Sequence, residues 1–226
     1  YVRMVEHLIC LRMGMGVDNM VIKLDSGDPP LFDQGSLDVV EALDACGQRE
    51  LDRPNRYYTV AAPVSVGGTY GDFVTLAPPL DPQHPRLTID CAIDFNTYIG
   101  QQRICFPVTE ELMRMASVAR TNTSWMKVLY CKTIGRLFAD VRNLGYSNKN
   151  VLIAGKGRYI NEPRLVHKGK ALEAVWHRSV LDLLAAIALI PDGQFVGHIT
   201  SYKAGPRLDC ELMRQLYLQQ ALVPLD

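Results

Sequence analysis

The sequence predicts an α+β fold and not a doubly wound parallel sheet, on three observations. Strand-like and helix-like segments come in runs instead of alternating strictly, the pattern of small antiparallel sheets packed with helices. Glycine-bearing turns, Gly67-Gly68 and Gly155-Lys156-Gly157, lie between β-branched runs. Helical stretches carry their own start and stop signals.

Taken in order, residues 3–13 have helical apolar spacing, and Gly14 and Gly16 stop that helix. Residues 19–24 read as a short buried strand, and Asp25-Ser26-Gly27-Asp28-Pro29-Pro30 as a loop. A second helix is expected over 36–46. The polar, proline-bearing stretch 47–55 then reads as a linker, which divides the chain into 1–50, the end of a first domain, and 51–226, a second. Residues 57–66 and 70–76 form a hairpin around Gly67-Gly68, and 87–95 and 103–106 are further strands. Thr109 begins a helix through 119, with a hydroxyl cap and two acids, Glu110 and Glu111, in its first turn. Another helix is expected over 133–141. Residues 151–154 and 158–160 make a hairpin, since Gly155-Lys156-Gly157 lacks the length and the Lys-Ser/Thr ending of a phosphate loop. A long helix over 171–189, a strand over 194–201 and a helix over 208–222 complete the chain.

At 226 residues the chain can bury one large core or two of roughly 100 residues each. Lys plus Arg equals Asp plus Glu at 24 each, so no net field favours nucleic acid or an anionic membrane surface. Six cysteines without a Cys-x-x-Cys pair argue against a zinc knuckle or a disulfide framework, and read as reduced, mostly buried thiols of an intracellular compartment. No apolar run approaches the roughly 18 residues of a membrane span; the longest, 180–190, contains Asp182.

Chemistry enters with Val5-Glu6-His7-Leu8. A carboxylate beside an imidazole can take a proton from water while the imidazole holds a metal that acidifies it. With Gly16-Val17-Asp18-Asn19, Asp94-Phe95-Asn96, Ile99-Gly100, Ala119-Arg120-Thr121, Leu181-Asp182, Gly197-His198 and Tyr202-Lys203-Ala204-Gly205, in this order and spacing, the chain resembles the zinc-dependent UDP-3-O-acyl-N-acetylglucosamine deacetylase family of lipid A synthesis. The resemblance implies two similar domains, each a small, mainly antiparallel sheet packed with helices, facing each other across a cleft. The first is expected to be incomplete, with part of it lying before Tyr1. It implies a zinc held by two histidines and an aspartate, a glutamate base, a histidine acid and an oxyanion-stabilising threonine. Glu6 matches the base, His7 the first ligand, Thr121 the threonine and Asp182 the aspartate ligand.

Other positions depart from that pattern. The second ligand falls on Arg178, the acid on Pro206, and the carboxylate that orients the acid on Ala186. In an α-helix His177 and Asp182, five apart, lie about 140° from each other, so His177 is not expected to replace the lost ligand. Arg178, four before Asp182, is expected to pair with that carboxylate and to repel zinc. His198 reads as a strand residue, and Trp125 and Trp176 as packing residues.

The expectation from these departures is a catalytically inactive, deacetylase-like subunit of a larger assembly, with other protein subunits as partners and no bound metal. Its home would be a bacterial cytoplasm or an organelle of bacterial ancestry. The alternatives are an active zinc deacetylase whose missing ligands come from His177, His198, His84 or His167, and a non-catalytic binder of an acylated or nucleotide ligand.

Overall fold

The computed structural model describes residues 4–25, 28–124, 129 and 147–225, and within them the architecture is α+β. The helix expected over 133–141, Trp125 and Cys131 lie outside the described residues. Helix α1 (Glu6–Gly14) buries His7, Leu8, Cys10, Leu11 and Met13. Arg12 in its last turn donates to the carbonyls of Ala188, Ile190 and Gly193, which ties this helix to the end of the long helix that faces it. Helix α2 (Leu37–Cys46) stops at Gly47, whose φ of 73° is one that side-chain-bearing residues rarely adopt.

The expected strand over 19–24 is not formed. The segment runs without ladder partners among the described residues, and Val21, Ile22 and Leu24 are exposed. A strand is held by a neighbour that takes up its N–H and C=O groups, so an apolar sequence alone does not make one. The 44–57 stretch that follows is exposed throughout.

The expected strand over 57–66 divides in two. β1 (Tyr57–Val60) and β2 (Val64–Gly67) are separated by Ala61-Ala62-Pro63, where proline has no N–H to give a ladder. β2 turns through Gly67-Gly68 into β3 (Phe73–Ala77), the predicted hairpin, and β4 (Thr88–Phe95) pairs with β5 (Gly100–Pro107). Helix α3 (Glu110–Ala116) starts at Thr109, whose hydroxyl accepts from the Leu112 N–H at 3.2 Å. Thr109→Ala is expected to lower stability by about 1 kcal/mol. An unchanged urea midpoint would show that this cap contributes nothing.

β6 (Thr121–Ser124) runs parallel to the fully buried β7 (Val151–Ala154), and β7 continues through the predicted tight turn, with the Ile160 N–H on the Ile153 carbonyl. A short hairpin, β8 (Val166–His167) and β9 (Lys170–Ala171), was not foreseen. The long helix is three pieces: α4 (Glu173–His177), a π-helical turn (Arg178–Leu183) and α5 (Leu184–Ile187). The expected strand over 194–201 is also two, β10 (Gln194–Phe195) and β11 (His198–Tyr202), which join different sheets. Helix α6 (Pro206–Leu218) ends early, and β12 (Leu222–Pro224) follows it.

The main sheet has the order β2-β3-β11-β4-β5, and a smaller one the order β10-β1-β12. Val74, Leu76, Ile89, Cys91, Ile93 and Ile199 of the main sheet join Val175, Leu181 and Leu184 of the long helix and Leu208, Leu212 and Leu216 of α6 in the core. Cys10 and Leu11 of α1 and Val40 of α2 belong to the same apolar cluster. Each such leucine is worth roughly 1.5–3 kcal/mol of burial, so α1 and the long helix are held firmly where their polar residues meet.

Candidate functional site

His7 leaves the first turn of α1 into a buried position, and both its ring nitrogens have partners. Its Nδ1 lies 3.1 Å from the Ser36 hydroxyl, and that hydroxyl donates to the His7 carbonyl at 3.0 Å. Ser36 stands at the N-cap position of α2 yet does not cap it. Its single proton is spent on the His7 carbonyl, so the Nδ1 side of the ring must be the donor to Ser36. The Nε2 lone pair of His7 is then free to face Thr121 Oγ1, 3.3 Å away.

His177 arrives at the same hydroxyl. Its Nε2 is 3.0 Å from Thr121 Oγ1, its Nδ1 is 3.6 Å from Asp182 Oδ1, and its ring meets that of His7 edge-on with centroids 5.4 Å apart. This overturns the expectation that His177 and Asp182 face different sides of the helix. The 140° separation holds for an α-helix, but residues Arg178–Leu183 form a π turn. Hydrogen bonding from i to i+5 stacks residues five apart, and so absorbs one extra residue.

Burial governs the protonation of the cluster. Removal from water lowers the His7 pKa to about 3, with His177 adding to the fall. The same cause lowers His177 to about 4; Glu173 opposes the fall and Arg178 adds to it. Both rings are therefore neutral, the form in which imidazole binds metals. Burial raises Asp182 to about 6 against the pull of Arg178, and Asp209 adds to the rise. Glu6 is raised as well, chiefly by burial, against a backbone hydrogen bond and with Asp182 contributing.

His7 and His177 thus meet at Thr121, Asp182 stands beside His177, and Glu6 is close enough to Asp182 to feel its charge. The donor types are those of a two-histidine, one-aspartate zinc site. Their directions are not, because the two Nε2 atoms converge on Thr121 while Asp182 stands at the far edge of the His177 ring. Among the described residues no group of three or more His, Cys, Asp or Glu side chains is arranged to hold a metal ion. In this arrangement the three side chains are not aimed at one point.

Arg178 pairs with Asp182 as expected, but Asp209 is its closer partner. Its guanidinium forms a two-pronged bond to Asp209 of α6, with Nη1 and Nη2 each 2.5 Å from a carboxylate oxygen, and reaches Ser201 Oγ at 3.4 Å. Asp182 is a secondary neighbour at 3.7 Å. Pro206 occupies the first turn of α6 after Gly205, where a missing N–H is no loss to the helix. Ala186, on α5, is partly buried and offers no carboxylate.

The other histidines stay away. His198 Nδ1 bonds Thr88 Oγ1 at 2.7 Å within the main sheet, His84 pairs with Asp81 at the surface, and His167 is exposed in β8. Trp176 packs on Phe106, with ring centroids 4.7 Å apart, as expected. The thiols are free among the described residues but not mostly buried: Cys46, Cys105 and Cys210 are exposed, and only Cys10 and Cys91 lie inside. Ser36 and Asp209 went unrecognised in the sequence because each reads there as an ordinary helix-start residue.

Residues 1–218 match the family described as LpxC: UDP-3-O-acyl N-acetylglycosamine deacetylase. Proteins named UDP-3-O-acyl-N-acetylglucosamine deacetylase from Brucella ovis, Brucella canis and Brucella suis are each 32% identical over 219 residues, covering 94% of this chain and 69% of theirs. No helix among the described residues is long and apolar enough to cross a membrane. On the match over residues 1–218 and the identity to these relatives, this chain belongs to the UDP-3-O-acyl N-acetylglycosamine deacetylase family.

Proposed function

We propose that this family member no longer carries out deacetylation and serves as a structural or interaction subunit of a larger assembly. The observation that carries the reading is Pro206 at the acid position, in the first turn of α6. Amide cleavage needs a proton on the leaving amine, a step worth ~10²–10⁴-fold, and proline has none to give. The Arg178 guanidinium 3.7 Å from Asp182 adds a fixed positive charge beside the remaining carboxylate. Exposed Val21, Ile22 and Leu24 support the interaction part, as apolar side chains on a segment without ladder partners among the described residues.

The test is acetate release from an acylated UDP-N-acetylglucosamine by the purified chain, alongside its zinc content after dialysis. No turnover with added zinc is the expected result. Turnover that disappears in Glu6→Ala would overturn the proposal.

A second reading, a zinc hydrolase using His7, His177 and Asp182, is favoured by one feature. His7 Nε2 and His177 Nε2 converge on Thr121 Oγ1, at 3.3 and 3.0 Å, so two neutral imidazole nitrogens face one point. A turn of Asp182 toward that point would complete a three-ligand set. Stoichiometric zinc that is lost in His177→Ala would mark this reading as the correct one.

A further inference from the structure

The long helix contains one residue more than an α-helical path from His177 to Asp182 would need, and the structure takes it up in the π turn. Two registers are open to such a segment. In an unbroken α-helix Arg178 sits four before Asp182, above it, and His177 turns about 140° away. In the π register His177 stands beside Asp182, and Arg178, still 3.7 Å from Asp182, aims its fork at Asp209 of α6 and reaches Ser201 of β11. A π turn gives up regular α-helical bonding, so something outside the helix has to favour it.

The geometry points to the Arg178–Asp209 ion pair as that element: by fixing Arg178 against α6, it holds the π register and so positions His177 beside Asp182 and Thr121. The pair has the form needed for a register pin. Both partners are buried, the guanidinium meets the carboxylate through two parallel bonds of 2.5 Å, and Asp209 lies in the first turn of a thirteen-residue helix anchored by Leu208, Leu212, Met213 and Leu216. A bidentate fork fixes direction as well as distance. Arg178 Nε remains buried without an acceptor among the described residues, so the guanidinium is placed by its two Nη atoms and not by a fully satisfied pocket. Ser179 adds to the distortion by donating to the Val175 carbonyl at 2.8 Å, a contact that bends helices. Arg178 and Asp209 are positioning residues here. The inference holds whether the cluster is silent or hydrolytic.

The test reads the ring contact directly. In the full chain with carbon-13-labelled histidine, the His7 and His177 rings, with centroids 5.4 Å apart, should show a mutual nuclear Overhauser effect. The paired substitution Arg178→Met with Asp209→Leu removes both charges at similar volume, a change that buried ion pairs often tolerate. The expected result is a folded protein that has lost the His7–His177 contact. Deleting Arg178 alone shortens the segment so that His177 stands four before Asp182, and the contact should then persist without the ion pair. A folded Arg178→Met/Asp209→Leu protein that keeps the ring contact would overturn the proposal, as would its loss in a folded deletion variant.

Discussion

Glu173→Ala is expected to destabilise the protein by about 3–5 kcal/mol, the usual result of removing one partner of a buried ion pair. The Glu173 side chain is wholly buried beneath β6. Its Oε1 accepts from the backbone N–H and the Nε of Arg120 at 3.0 and 2.7 Å, and its Oε2 from Arg120 Nη2 and the Arg164 N–H at 3.0 and 2.6 Å. Arg120 also donates to the carbonyls of Asn148 and Glu162, so removing the carboxylate strands a buried guanidinium and loosens the chain on both sides. The effect should reach the site, because Arg120 immediately precedes Thr121. Urea unfolding at neutral pH measures it, and a loss below about 1 kcal/mol would mean that this network is dispensable.

The second large effect is loss of stability on acidification of the metal-free protein. An imidazole in the unfolded chain takes its proton near 6.5, whereas His7 and His177 in the folded chain resist protonation down to about 3 and about 4. As the pH falls below 6.5 the unfolded state therefore binds protons that the folded state refuses, and each ring removes about 1.4 kcal/mol per pH unit. Asp182 acts in the opposite sense. Its folded value of about 6 lies above the ordinary 3.8, so between those values acid favours the folded state at the same rate. Two losses against one gain leave a net loss of about 1.4 kcal/mol per unit between pH 6 and pH 4, and Glu6, also raised, softens it further. Urea midpoints in chelator at pH 7, 6, 5 and 4 provide the measurement, with His177→Gln expected to flatten the slope. A wild-type protein equally stable at pH 7 and pH 4 would show that the rings are not buried in neutral form.

Much of this was legible in the sequence because it depends on local chemistry. Thr109 with Glu110 and Glu111 announces a helix start whatever surrounds it, and the Gly67-Gly68 turn fixes a hairpin between neighbouring segments. The strand over 19–24 failed because its apolar pattern matched a strand while strand formation depends on a partner elsewhere. β6 escaped notice because Thr-Asn-Thr-Ser has no apolar alternation, and its place is set by the buried β7 beside it. Division of the stretches 57–66 and 194–201 between two sheets was likewise a matter of which neighbours were available.

By itself the sequence determined the α+β class and the family, since each follows from residue types in a fixed order. Only the tertiary structure decided that His177 joins Arg178 beside Asp182. Sequence spacing translates into direction only when the helical period is known. Here the period is changed locally, in a π turn beside an ion pair from Arg178 to Asp209, 31 residues further along the chain.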